Sequence, residues 1–233
     1  MPVSRTCSFT EIRAASSAGM RANLIPGIAL WIFGMSIVLS YYFLESARPI
    51  FDRVTSLRET YGFLYSAIST GIFAGLIPFL YLLFAKRIVP GTVLTTGLFY
   101  LLFWSYRGVE VDAFYRFQAW LFGDDNGWKT IVSKVLFDQF VYCPVWAAPM
   151  TAACYAWRDV GFSFPQLRRR LNRRFLVFEV AVILLSTWTI WIPATAIIYS
   201  LPLPLQVPLF NLVLCFFVLL VSVLTSRESR EPS

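Results

Sequence analysis

No histidine occurs in the 233 residues, and cysteine is confined to four isolated positions, Cys7, Cys143, Cys154 and Cys215. The first absence removes imidazole-activated nucleophiles, histidine proton shuttles and the commonest metal ligand together. The second leaves no CxxC pair, so neither a cysteine metal site nor a disulfide framework is indicated. Cys143, Cys154 and Cys215 lie in apolar runs, where a thiol behaves as a small hydrophobe. Charge is scarce too, at 14% of residues, against about 25% in soluble domains. No phosphate-binding loop, paired inward carboxylates or nucleophile–base constellation is present. The expectation is a protein without cofactor, metal or enzymatic activity.

What is abundant is apolar. Hydrophobic residues make up 58% and aromatics 18%, with a mean hydropathy of +0.64. A soluble fold of this size could not bury so much apolar surface. The chain is therefore expected to be an all-α, polytopic transmembrane helix bundle. Uncharged stretches fall at 22–44, 60–85, 88–106 and 135–157, the last interrupted only by Asp138. A further run, 180–226, is too long for one crossing of a core about 30 Å thick. It holds two spans, broken at LPLPLQVP (201–208). The count is about six, within a range of four to six, and the third is the weakest because Pro90, Gly91 and Gly97 interrupt it.

With the N-terminus inside, the inner segments carry thirteen of the 20 Lys and Arg and the outer segments seven. Both termini on the cytoplasmic or matrix side is the better orientation. The arginine- and serine-rich first residues faintly resemble an organellar transit peptide, but a short cytoplasmic tail ahead of the first span is the better reading. The net charge of +7 reflects topology and membrane-surface binding, with no nucleic-acid partner expected.

Asp138 and Gln139 form the sharpest candidate site, because an ionisable group inside a span is expensive. Asp138 either pairs with Lys134 one turn earlier or lines a solute path. In an up-and-down arrangement Asp138, Gln139, Trp188, Trp191, Tyr199, Gln206 and Asn211 gather toward the outer end as a polar vestibule. Interfacial belts produce a similar census. Pro144, Pro149 and Pro193 free backbone carbonyls and kink their helices, as in cavity-lining spans or in inert bundles.

Arg168, Arg169, Arg170, Arg173 and Arg174 form a positive-inside anchor or a site for anionic lipid headgroups. Glu179 is expected to pair with one of them. Ser163 and Pro165 mark the start of a short interfacial helix there. Residues 107–122 read as a separate aromatic interfacial helix, ended by the GDDNG turn at 123–127. Ser66, Ser69, Gly71 and Gly75 give the second span a small-residue face, for packing within the bundle or for self-association into a homo-oligomer.

AFYRFQAWLFG (113–123), KVLFDQFVYCPVWAAP (134–149) and WTIWIPATAIIYSLPLPLQVP (188–208) together resemble the Mpv-seventeen and peroxisomal membrane protein family. The matching positions are Phe114, Tyr115 and Arg116, then Asp138, Gln139 and Pro144, then Trp191 and Pro193 with Ile192 inserted, and finally Pro204. Coverage is roughly 61–226, which divides the chain into a tail (1–24), an added span and loop (25–60), the family-like membrane domain (61–226) and a polar tail (227–233). The resemblance implies an integral protein of a mitochondrial inner, peroxisomal or bacterial inner membrane, of a family in which some members form weakly selective channels. The expected function is a channel or facilitator for small solutes. The alternative is a non-transporting scaffold that binds lipid or partner proteins through Arg168–Arg174.

Overall fold

The computed structural model describes residues 9–172, 175, 178 and 180–228. Arg173, Arg174 and Glu179 lie outside the described residues, so the expectations placed on them stand unexamined. Everything described is helix, turn or loop, and there is no strand among the described residues.

Helix α1 runs Phe9–Phe43, so much of the expected N-terminal tail is helical. Helix α2 (Arg48–Tyr61) starts on Pro49 and stops at Gly62, whose φ of +51° no β-carbon-bearing residue adopts easily. Helix α3 (Phe63–Phe84) contains a π turn, Gly71–Leu76. Helix α4 spans Val93–Phe122 and ends on Gly123 at φ +97°. Helix α5 covers 128–159, with a π stretch at Asp138–Ala147 between Trp128–Phe137 and Ala148–Asp159. Helix α6 is Phe164–Arg170, α7 is Val180–Tyr199 and α8 is Leu203–Glu228.

Among the described residues, three helical segments are long and apolar enough to cross a membrane: Asn23–Phe43, Phe63–Phe84 and Val180–Tyr199. Leu203–Leu219 is a shorter apolar helix, and the break before it falls where the prolines of 201–208 put it. Large side chains such as Ile25, Ile32, Phe84, Leu94 and Val145 stand exposed on the helix surfaces. Such surfaces suit a lipid surrounding.

One expectation is overturned. Residues 107–122 are not a separate interfacial helix, because they continue the helix that begins at Val93 without a break. Their charges are absorbed rather than shed to an interface: Arg107 bonds Glu110 at 2.6 Å, and Arg116 bonds Asp112 at 2.9 Å. Phe99, Tyr100, Phe103, Arg107, Val111, Asp112, Tyr115 and Gln118 are all buried on one side of α4, at the 3–4-residue spacing of a single helix face.

The chain divides into two compact units, Met1–Gly27 with Leu136–Ile192, and Ile28–Val135 with Pro193–Ser233. In the second unit α3 and α4 pack along their small residues. A β-carbon on Gly75 would lie 2.8 Å from the carbonyl oxygen of Tyr100, and one on Gly97 would lie 2.9 Å from the ring of Phe79. Gly71 faces Ser105 and Leu101, and Gly108 faces Ser66 and Thr70 just as closely. The small-residue face of 66–75 therefore serves packing within the chain. Such close approach lets van der Waals contact hold the two helices together. A β-carbon on Gly34 would lie 3.3 Å from Ile197, and Phe33 stacks on Phe216 at 4.6 Å, which brings the end of α1, α7 and α8 into this unit.

In the first unit Asn23 donates to the carbonyl of Ser186 at 3.1 Å, and Phe140 packs on Trp188 at 5.0 Å. A small core of Ala156, Phe175 and Val180 is flanked by Leu167, Leu171 and Leu184. Ser163 occupies the N-cap position of α6, but its hydroxyl makes no cap hydrogen bond.

Candidate functional site

The densest buried polar chemistry lies in the second unit. Asp112 is fully buried on the inner face of α4. One carboxylate oxygen accepts from Arg58 of α2 and, at 2.9 Å, from Nε of Arg116. The other accepts from the Ser66 hydroxyl at 2.6 Å. Arg58 is itself buried, and that burial pulls its guanidinium below the usual arginine value while Asp112 opposes the shift. Arg116 reaches the same carboxylate from the partly exposed side, its guanidinium lying 5.0 Å above the Phe63 ring.

One helical turn along α3 from Ser66, the polar line continues. Asn211 of α8 donates to the Ser69 hydroxyl at 2.9 Å and accepts from the Thr70 hydroxyl at 2.7 Å. Ser66, Ser69 and Thr70 share a helix face because they are three and four residues apart. Arg58, Asp112, Ser66, Ser69, Thr70 and Asn211 thus form one seam of hydrogen-bonding side chains among apolar helices.

Beside it, Gln118 donates to the Tyr199 hydroxyl at 2.8 Å, and Tyr115 meets the Tyr199 ring edge-on at 5.2 Å. Gln206 donates to the carbonyl of Leu201 at 2.9 Å. The oxygens of both amides, Gln118 Oε1 and Gln206 Oε1, are buried without a hydrogen-bond partner. Buried acceptors without a donor are uncommon and mark a place where a donor would be welcome.

Two further bonds define one end of this unit. The Tyr42 hydroxyl donates to the carbonyl of Ser200 at 2.7 Å and accepts from Asn126 at 2.8 Å. They gather the end of α1, the loop after α4 and the turn between α7 and α8. In that loop Asp125 accepts from the Gly127 amide and the Thr130 hydroxyl, both at 2.8 Å, and these bonds hold its carboxyl below the usual range.

The expected vestibule residues divide between the units. Tyr199, Gln206 and Asn211 lie in the second unit, where each is buried and joins a different local hydrogen-bond set. Asp138, Gln139 and Trp191 lie in the first unit. Asp138 and Gln139 are buried at the start of the π stretch, and Asp138 accepts from the Cys143 thiol at 3.4 Å. Lys134, the basic residue one turn before Asp138, is buried in the second unit with Asp124 and Asp125 as its nearby charges.

Pro144 lies inside the π stretch, and Pro149 opens the α-helix that follows. A π stretch widens the helix locally, which accommodates a proline that cannot donate to the ladder. Pro193 sits within α7. Arg168, Arg169 and Arg170 are exposed on α6. No group of three or more His, Cys, Asp or Glu able to hold a metal occurs among the described residues.

The roles missed at the sequence level are those of Asp112 as a buried centre, of Arg58, Ser66 and Arg116 as its partners, and of Thr70 as the partner of Asn211. Their signal was the inward spacing of Tyr100, Phe103, Arg107, Val111, Tyr115 and Gln118, which puts Asp112 on the same side. Comparison with family models, with curated proteins and with solved structures found no match for this chain.

Proposed function

We propose that the protein is a multi-pass integral membrane protein that provides a narrow, weakly selective path for small polar solutes. The observation that carries this reading is the buried seam from Arg58 through Asp112, Ser66, Ser69 and Thr70 to Asn211. Ionisable and amide groups held inside apolar helices are characteristic of solute and ion pathways.

Depth supports the assignment. Asn211 is eight residues into α8 and Thr70 seven into α3, so the seam reaches about 11–12 Å from the helix ends, or most of one bilayer half. Below it the α3–α4 contact is apolar and held tight by Gly75 against Tyr100, which is the barrier of a closed path. The π turn Gly71–Leu76 sits at that barrier, and local π geometry is a frequent mark of functional movement in helices. The unpartnered oxygens of Gln118 and Gln206 supply acceptors for a donor solute near the mouth.

The bonds from Tyr42 to Ser200 and Asn126 put the ends of α1, α4 and α7 together, as an up-and-down bundle requires. Helix α4, at 30 residues, is about 45 Å long and can cross as well. This reading carries the six-span arrangement and the likeness to the Mpv-seventeen family forward as parts of the proposal, with the seam as a polar mouth of the path.

The test is efflux of a graded set of small solutes from liposomes containing the purified protein. Wild-type flux should fall with solute size. Asn211→Leu and Thr70→Val should lower it on the order of tenfold, the factor that about 1.4 kcal/mol of lost solute hydrogen bonding produces. Asp138→Asn in the same assay decides whether the buried carboxylate of the first unit also meets the solute. Tight vesicles containing folded wild-type protein would overturn the proposal.

A further inference from the structure

In the first unit, helix α5 closes on two successive left-handed residues, Gly161 at φ +64° and Phe162 at φ +62°. The Gly161 amide bonds the carbonyl of Arg158 and the Phe162 amide that of Trp157, both at 2.9 Å. A bulky residue in this conformation is a genuine outlier. Here it brings the Phe162 ring edge-on to Trp157 at 5.2 Å, while Phe164 packs on the same indole at 4.9 Å and stays 68% exposed. An aromatic cluster with one ring left outside, on a turn between helices, suits the level where membrane meets water.

Arginines follow within one short helix. Leu167 and Leu171 pack on the core of Ala156, Phe175 and Val180, while Arg168, Arg169 and Arg170 stand exposed. Asp159 is the carboxylate beside them. Arg158 holds it at 2.7 Å, and Arg170 approaches only to 3.9 Å. No carboxylate lies within ion-pair distance of Arg168 or Arg169 among the described residues.

We propose that this turn and the exposed arginines at the end of α6 form a docking site for the phosphate headgroup of an anionic phospholipid. Guanidinium forks match phosphate oxygens in pairs, and the Trp157–Phe162–Phe164 cluster supplies the apolar floor for the upper acyl chain. The site rests on the chain being embedded in a membrane and is independent of the solute path.

The experiment is native mass spectrometry of the full chain in detergent, offered phosphatidylglycerol and phosphatidylcholine in equal amounts. Wild type should retain phosphatidylglycerol preferentially. Three arginines at roughly fivefold each give a preference on the order of 100-fold. Arg168→Gln, Arg169→Gln and Arg170→Gln together should abolish it. Should the triple variant fail to fold, the single variants Arg168→Gln and Arg169→Gln carry the test. Equal retention of the two lipids by wild type, or undiminished preference in the folded variants, would overturn the proposal. Displacement of the lipid by millimolar inorganic phosphate would do so too, since it would identify a free-anion site.

Discussion

Arg58 and Arg168 are the same side chain put to opposite uses. Arg58 is withdrawn from solvent, bonds a fully buried carboxylate and lies at the head of a seam drawn from four helices, α2, α4, α3 and α8. Arg168 stands exposed on a seven-residue helix, with no carboxylate in reach among the described residues. The difference lies in the neighbouring chain. Around Arg58, the Asp112 carboxylate arrives from α4 and accepts from the guanidinium in place of lost water, while Ser66 of α3 and Arg116 of α4 bond that same carboxylate. Around Arg168 only Leu167 and Leu171 face inward, so the arginine keeps its water and its charge stays available. A basic residue in a membrane protein is therefore structural or ligand-seeking according to whether partners from other elements close over it.

The widest separation comes from truncating the buried member. Arg58→Ala removes one partner of a fully buried carboxylate and should destabilise by about 3–5 kcal/mol, the usual consequence of stranding a buried charge. Thermal unfolding in detergent would show it, and Arg58→Ala combined with Asp112→Asn should recover part of the loss. If the single variant unfolds like wild type, Arg116 and Ser66 alone satisfy Asp112 and the contrast with Arg168 collapses. Next is Gly75→Ala. Its new methyl meets a backbone carbonyl at 2.8 Å that cannot step aside, so a loss of about 1–3 kcal/mol is expected from overpacking. Gly71→Ala should be milder, because the atom in its way is the Ser105 hydroxyl, which can rotate. Equal losses would mean that the two helices separate easily, and that the seam is less rigidly enclosed than its hydrogen bonds imply.

How much of this was legible beforehand depended on the range of the interaction. The break at 201–208 and the end of α2 at Gly62 follow from single residues, because proline and glycine act on their own backbone. The small-residue face of 66–75 was readable as a packing face, but not its partner, since Tyr100 and Ser105 become neighbours only when α4 folds against it. The Arg58–Asp112 pair was invisible for the same reason: 54 residues separate the two, and no local pattern joins them. The charges of 107–116 misled outright. Spaced three and four apart, they look like a solvated face, yet Arg107–Glu110 and Arg116–Asp112 pair within the helix, so a charged stretch continues a long helix instead of ending it.

The remaining effects are small, and their order tests the comparison most finely. Arg116 binds the same carboxylate as Arg58 but with its side chain 42% exposed, so water screens the pair and compensates for its loss. Arg116→Gln should lower stability by no more than about 1 kcal/mol, well short of Arg58→Ala although the two share Asp112. Arg168→Gln and Arg169→Gln should change thermal stability least of all in lipid-free detergent, because neither side chain gives up an ion-pair partner among the described residues. Adding phosphatidylglycerol should then raise the melting temperature of wild type and not that of the double variant, since a ligand stabilises only the form that binds it. A melting temperature already lowered by these substitutions without lipid would mean that the exposed arginines of α6 hold the fold directly. Arg168 would then belong with Arg58, and burial would no longer be what separates the two uses of arginine.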